Sequence, residues 1–519
     1  MSEPGDSAAS HFFAIQELLL LVLDYISPPK ATIQSSDHNS LAALARVSRN
    51  ISGAALDALW RSIYQPGPIV RLLPNDAYEV SESLDGRVGE YRLKRPLEQS
   101  DFFAFDKYAP RIRFIEFSNS SKILERGCEL LPYIKAFRDP ILPALAEFHW
   151  EPSVGDGSIC AFHLLSRQAF IPSDKLTLVM WSEIEHSNAE SDVLADTINA
   201  FNDPALPWLP DVKALFLRTI HYLPASRAIT NLVHLESFSC DFPVESALLR
   251  KLAAIPHLRF LDLRSILGDV PADILPALSF PALDSLRLHG TQSSVRALLP
   301  LISSPVLFDV HLHPKDFQTT EPDLFALLLP PTVPSRHSML THFTFSGLYG
   351  LSPHVRTLEL AAFAPLHVCR ALQTFCVDVV MDELVFTDAD LRAMARAWPA
   401  LTLFFVTPRT RSLFLAPRVH LYTLWALVEG CPRLRLLRVP VDADVTDAFR
   451  VEDATGSCET MEELQLLYSP CGKPEIVAAF LNAAFAKLPA NGFYASAPGH
   501  RPEDKAKWAT VKRSLLDTA

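Results

Sequence analysis

Along this chain the apolar residues follow two different rhythms. Between Ile15 and Ile26, residues Ile15, Leu18, Leu19, Val22, Leu23 and Ile26 recur at steps of three and four, which places them on one stripe of a helix. Leu20 and Leu21 widen that stripe beyond what a short helical unit can bury internally, so Leu21 predicts a covering surface supplied from elsewhere. Pro28-Pro29 stop the helix, since proline lacks a donor and restricts the residue before it. The polar run Lys30 to Asn39 reads as a loop. Ser40 predicts the cap of a second helix carrying Leu41, Leu44 and Val47, and Ser52 the cap of a third carrying Leu56, Leu59 and Trp60.

From Ile112 onward the rhythm changes to an apolar residue, another three later and another five later. It recurs thirteen times, starting at Ile112, Leu145, Leu176, Val212, Leu235, Leu258, Leu283, Leu307, Leu340, Leu372, Leu401, Leu434 and Met461. The third of these reads Leu176-Val179-Trp181. At 49% hydrophobic composition the pattern alone arises at about one position in eight, so its company decides. Eight of the thirteen carry a proline two residues upstream (Pro110, Pro143, Pro210, Pro256, Pro281, Pro305, Pro399 and Pro432), where chance would supply about one. Proline there ends a helix and opens an extended segment without needing a ladder donor.

Helical stretches such as Ser294 to Ile302 and Asp388 to Trp398 separate these strands. Strand, loop, helix and return make an α/β solenoid of leucine-rich-repeat type, with parallel strands on a concave face and helices on a convex one. The asparagine usual eight residues after the first apolar position is absent throughout. Lys473 to Leu488, with Val477, Leu481, Ala484 and Leu488 on one face, predicts a terminal cap. The resulting division is a disordered N-terminus (1–12), a helical module (13–64), a linker and lead-in segment (65–109) with a short helix over Asp101 to Tyr108, the repeat array (110–470), and a cap helix and tail (471–519).

Composition narrows the function classes. A net charge of -12 disfavours general affinity for nucleic-acid phosphate, and Arg409, Arg411 and Arg418, or Lys505, Lys507, Lys512 and Arg513, make no basic stripe. The eight cysteines form no C-x-x-C pair, which favours a reducing compartment, cytoplasmic or nuclear. The run Leu18 to Leu23, between Glu17 and Asp24, is too short for a signal-peptide core or a membrane span.

Glu17-Leu18-Leu19, Tyr25-Ile26, Pro28-Pro29, Leu41 to Arg49 and Ala54 to Arg61 together resemble the F-box of fungal F-box and leucine-rich-repeat proteins. Arg95 to Phe102 and Tyr108 to Ile112 resemble the lead-in segment of the same family. The chain departs from it at Ile15-Gln16, where a Leu-Pro pair is usual, and at Ser48, where Cys is common. The resemblance implies that the module docks onto the Skp adaptor of a cullin-RING ubiquitin ligase through Leu18, Leu19, Val22, Leu23, Leu44, Val47 and Trp60, while the array binds a target protein. The chain would then be a non-catalytic substrate-recognition adaptor needing no cofactor. The alternative is a repeat scaffold that binds proteins outside ubiquitination.

Candidate chemistry is sparse. His311 and His313 alternate along one strand and point the same way, but no third metal ligand accompanies them. Asp442, Asp444 and Asp447 lack the glycine and distal glutamate of a calcium loop, Gly347 to Gly350 is a turn without phosphate-binding context, and no nucleophile motif occurs. Target recognition is expected on strand residues between the apolar positions: Arg259, Asp262, Arg287, His311, Arg435 and Arg438.

Overall fold

The computed structural model describes residues 16–26, 35–64, 67–80, 91–117, 130–139, 141–150, 176–181, 212–218, 232, 234–244, 246–266, 278–314, 339–346, 355–409, 419–444, 457–467, 469–489, 492–495 and 502–518. Ile15, Pro28-Pro29, Gly347 to Gly350, Arg411, Arg418 and Asp447 lie outside them. The chain divides into two compact units, Met1–Phe242 and Pro243–Ala519.

The first unit opens with three helices, α1 (Gln16–Ile26), α2 (Ser35–Val47) and α3 (Arg49–Trp60). Leu19 and Leu23 of α1 pack with Leu41 of α2 and with Ile51, Ala55 and Ala58 of α3, filling the centre of the module. Helix α2 begins before the expected cap at Ser40, because the run from Ser35 contains neither Gly nor Pro to forbid it. Ser52 likewise lies inside α3. The cap is Ser48, in extended conformation, whose Oγ accepts the Ile51 N–H at 3.4 Å. The residue that replaces a common cysteine of the resembled family therefore starts the third helix.

Helix α3 runs into a two-residue strand, β1 (Ser62–Ile63), which pairs in parallel with β2 (Phe114–Phe117) through Ser62↔Phe114 and Ile63↔Ile115. Two residues carry no periodicity, so this strand was invisible to pattern reading. Nor is 65–109 a bare linker. It holds a short helix (Gly67–Val70), an antiparallel hairpin (Tyr78–Val80 with Tyr91–Leu93), a 3₁₀ turn (Gln99–Phe102) and the expected helix, observed over Phe103–Tyr108. Tyr91, Phe102 and Phe105 are buried within it. Arg95 pins the piece together: its guanidinium donates two 2.8 Å bonds to Asp101 and a 3.0 Å bond to Asp76. Those bonds to Arg95, with the 2.8 Å bond from the Glu98 N–H, hold the buried Asp101 carboxyl below its ordinary pKa.

The ladder continues in parallel through β3 (Glu147–Trp150), β4 (Leu176–Trp181), β5 (Val212–Arg218) and β6 (Ser237–Pro243). Its apolar row reads Ile115↔Phe148↔Leu178↔Leu215↔Phe238. The register corrects the third repeat: Leu178 and Met180, not Val179 and Trp181, align with the neighbouring core positions. A one-residue slip moves every side chain to the opposite face, and Leu176-Val179 satisfies the spacing only because every residue of the segment but Thr177 is apolar.

In the second unit every expected strand start is occupied. The strands at those starts are β7 (Phe260–Ile266), β8 (Ser285–Gly290), β9 (Asp309–Pro314), β10 (His342–Ser346), β11 (Thr374–Val385), β12 (Leu403–Arg409), β13 (Leu436–Arg438) and β14 (Glu463–Gln465); Val355–Glu359 pairs with the far end of β11, and Leu278–Ser279 pairs with Ile302–Ser303. A further strand, β15 (Phe493–Tyr494), pairs with β14. One continuous row, Leu261, Leu286, Val310, Phe343, Phe375, Phe404, Leu437, Leu464 and Phe493, lines the buried side at 2% exposure or less. Within it Phe343, Phe375 and Phe404 stack with ring centroids 6.0 and 5.5 Å apart. Each such side chain contributes about 2 kcal/mol of burial.

The returning helices close this row from behind. Thr387 and Asp390 form a reciprocal capping box at the start of Asp388–Ala397, whose Leu391, Met394 and Ala395 are buried. Gly430 ends the next helix, where a Cβ would stand 2.5 Å from the Ala395 carbonyl oxygen. Only glycine permits that approach. Ser469 occupies the position where asparagine is usual in such repeats, and its Oγ accepts the Val441 N–H at 2.9 Å, so serine supplies the loop hydrogen bond.

The expected terminal cap is a corrected assignment. Pro474–Ala484 does bury Val477, Leu481 and Ala484, but β15 follows it, so it is the crossover of one more repeat. The array is closed instead by Pro502–Thr518, read from sequence as a tail. Its Trp508 and Val511 are buried, and Trp508 Nε1 donates to the Ser469 carbonyl at 2.9 Å.

Candidate functional site

Two surfaces carry functional potential, one in each unit. In the first, α1 has more apolar surface than its module can use. Leu19 is 3% exposed and Leu23 fully buried, so these two belong to the core and are not available for docking. Leu18, Val22, Leu44 and Trp60 are half-buried, and Trp60 stacks on Tyr108 with centroids 5.0 Å apart. Val47 is 69% exposed. Leu20, Leu21 and Tyr25 are also exposed, Leu21 at 66% and Tyr25 at 88%. Leu21 and Tyr25 sit one turn apart on one flank of α1. That flank is the covering site expected from Leu21; Tyr25, named within the family resemblance, was not counted among the docking residues, although its position four residues on places it beside Leu21.

Helix α3 faces the other way. Arg111 donates to the Gly53 carbonyl at 3.1 Å and pairs with Asp57, while Arg61 holds Asp24 at 2.8 Å. The module is therefore fastened to its own lead-in through α3 and Trp60 and keeps α1 outward.

The second surface is the outward face of β7 to β10. Successive strands bring Asp262, Arg287, His311 and Thr344 into one row, with His289, His313 and Ser346 in the row above. The His289 and His313 rings stack at 4.0 Å and 15°, and His311 lies 6.2 Å from His313. Asp262, 2% exposed, is held by Arg264 Nε at 3.1 Å and faces His289 Nε2 at 3.3 Å. Asp309 faces His311 Nε2 at 2.9 Å and accepts from Ser285 Oγ at 2.8 Å. Burial alone would raise both carboxyl pKa values, but the bonds from His289 and His311, with the charge of Arg264 beside Asp262, outweigh it and hold both below the ordinary range. Burial, with His289 and His311 as neighbours, pushes His313 down to about 3. The triplet is thus a polar network centred on a neutral imidazole.

Of the expected recognition residues, Arg287 and His311 lie on this surface, while Asp262 is buried beneath it. Arg259 pairs with Asp284 at 2.7 Å, and Arg435 with Glu462 at 2.6 Å at exposed positions. Arg438 lies 3.8 Å over the Phe405 ring, further along the ladder. His289, Arg264 and Ser346 were not singled out. Aligning the repeats by their first apolar residue would have found them, because Arg264, His289, His313 and Ser346 all stand six positions after it. Among the described residues, no group of three or more His, Cys, Asp or Glu side chains is arranged to hold a metal ion. Six described cysteines are free thiols, five of them buried.

Parallel strands with one apolar residue per rung, helical returns and a sealed last repeat define repeats of leucine-rich type. No protein-family profile matches the sequence, and no curated protein matches it. Among solved structures, the chain is similar to an internalin from Listeria monocytogenes at 12% identity and TM-score 0.34, over 71% of this chain and 89% of that one. It is also similar to a chain of the Toll–Spatzle complex from Drosophila at 11% identity and TM-score 0.37, over 79% of this chain and 47% of that one. The fold assignment stands on the ladder itself.

Proposed function

We propose that this protein is a non-catalytic, protein-binding adaptor, in which the helical module docks on the Skp adaptor of a cullin-RING ubiquitin ligase and the repeats hold a target protein. The observation that carries the proposal is the exposed flank of α1, with Leu20, Leu21 and Tyr25 outward beside a module whose own core is already filled. Exposed apolar area of this kind is what a partner would cover. Holding a target near a conjugating enzyme raises its effective concentration without any chemistry by the adaptor. Such a role places the protein in the cytoplasm or nucleus; no described helix is long and apolar enough to cross a membrane.

The test is recovery of the Skp adaptor on the full chain, comparing wild type with Leu21→Asp combined with Tyr25→Ser. Both positions are exposed, so the variant should melt like wild type while recovery falls at least tenfold. Equal recovery by a folded variant would remove the ligase from the proposal. A protein-binding scaffold outside ubiquitination would then be the better reading, one already favoured in part by the fastening of α3 to the chain's own lead-in segment.

A further inference from the structure

Four of the seven large apolar side chains that the described residues of the second unit leave exposed lie at one edge of the ladder, where the chain turns into its strands. Val306 and Phe308 flank the buried Leu307 ahead of β9, Met339 precedes the buried Leu340 ahead of β10, and Val368 ends the 3₁₀ helix Leu360–Val368 ahead of β11. The strand register carries back into these turns. Three residues before Ser285, Asp309, His342, Thr374 and Leu403 stand Ala282, Val306, Met339, Ala371 and Ala400. They make an apolar row across β8 to β12, with its two large members side by side. His257 and the exposed Arg433 hold the same position on the next rungs out. Single exposed apolar residues are ordinary, but a contiguous set calls for a covering surface.

We infer that a target protein docks on this edge through an amphipathic helix whose apolar stripe is bordered by acidic residues. This rests on reading the repeats as the part that holds the target. Rungs of a ladder repeat at about 4.8 Å and turns of a helix at about 5.4 Å, so a helix lying across the strands sets one side chain against each rung. Four intervals span about 19 Å, the length of a helix of about 13 residues. Charge selects the borders of the stripe. Among the described residues, Arg259, Arg370, Arg396, Arg433 and Arg435 stand at this edge against Asp284, Glu429 and Glu462, five cations to three acids. Asp284 is paired with Arg259 and Glu462 with Arg435, whereas the exposed Arg370 and Arg433 join no described acid. Asp309 turns onto the strand face, where Ser285 and His311 hold it. A second copy fits worse, since a two-fold pairing centred on Met339 sets Arg259 against Arg435 or each against itself. An anionic lipid surface also fits worse, because Asp284 and Glu462 would press on its headgroups.

The test is selection of a displayed library of helices on the full-length protein, beside a library of random linear peptides, with enriched sequences titrated by anisotropy. Enriched helices should carry apolar residues at i, i+4 and i+7 with Asp or Glu beside them. Binding should fall about tenfold in Phe308→Ser combined with Met339→Ser, and about threefold in Arg370→Gln, the second loss shrinking at high salt. Phe405→Ser, on the strand face, should leave it unchanged. Serine in the apolar stripe of the peptide should cost the same tenfold with the protein intact, so the result does not depend on how the double variant folds. Binding that survives the double variant would overturn the edge as the docking site. Enrichment of linear peptides alone would overturn the helix and keep the repeats as a protein-binding part, and enrichment from neither library would overturn both. Sedimentation of wild type, but not of the double variant, with phosphatidylserine vesicles would overturn the inference in favour of a lipid surface. A wild-type dimer that the double variant loses would overturn it in favour of a second copy.

Discussion

Acidifying the protein should weaken its second unit through one imidazole. In the folded chain His313 titrates at about 3, against an ordinary value of 6.5, because it is buried and stacked against His289 with His311 and Arg287 nearby. The groups acting on it are His289, His311, Asp262 and Arg287, with Ser346 bonded to its Nδ1. A base whose folded pKa is depressed is neutral in both states above 6.5, so it imposes no penalty at neutral pH. As pH falls below 6.5 the unfolded chain takes the proton first, and the folded state loses ground until pH reaches the folded value. One pKa unit corresponds to about 1.4 kcal/mol, so between pH 7 and pH 5 the loss is about 2 kcal/mol. Solvent at the half-buried ring reduces this toward about 1 kcal/mol. The check is urea unfolding of wild type and His313→Asn at both pH values, since Asn keeps a partner for Ser346 Oγ, now 2.9 Å from Nδ1. His367, also pushed down by burial, titrates in both proteins and drops out of the difference. The variant should lose the smaller amount of stability on acidification. Identical pH slopes would show that His313 is not held neutral by its surroundings.

Two further outcomes follow from packing. Asp101→Ala should lower stability by about 2 kcal/mol in denaturant unfolding, because it strips the buried end of the Arg95 fork while Asp76 still compensates part of the charge; an unchanged midpoint would mean that the segment from Gly67 to Tyr108 is not held by this pair. Phe404→Ala should cost about 3–5 kcal/mol, whereas the adjacent Phe405→Ala should cost less than about 1 kcal/mol, and similar losses would place the ladder in the wrong register.

Much of the repeat array was legible because its code is local. A strand that must bury alternate residues, preceded by a proline that must end a helix, leaves its signature inside ten residues, and observed strands start at or just after each expected position. What failed were features whose cause lies elsewhere in the chain. Leu178, not Val179, stands in register with Phe148 and Leu215 because register is set by neighbouring strands, not by the apolar run itself. The strand at Ser62–Ile63 and the strand at Phe493–Tyr494 exist only because an edge is there to receive them. The terminal helix was missed because its buried face rests on Trp508 and Val511 amid charged neighbours. The site was half legible. Arg287 and His311 follow from alternation, whereas the pairing of His289 with His313 needed adjacent repeats to be laid in register.

The strand at Ser62–Ile63 also changes what the front module is. A helical handle tethered by a flexible linker would let any partner held on α1 sample a wide volume around the repeats. Here the backbone passes from α3 into the ladder without a loop, the Arg113 N–H donates to the Arg61 carbonyl at 2.9 Å, and Trp60 rests on Tyr108. The exposed flank of α1 is thereby fixed relative to the first rungs of the array in the same unit. If the proposed adaptor role holds, that rigidity matters more than added contact area. The gain in effective concentration is largest when the span between two sites is set in advance, and it disappears when geometry forbids simultaneous engagement. On the proposed reading, cutting the strand pairing at Ser62–Ile63 should leave capture of the Skp adaptor by α1 intact while loosening α1 relative to the first rungs of its own unit, seen as unchanged pull-down recovery beside faster amide exchange at Arg113.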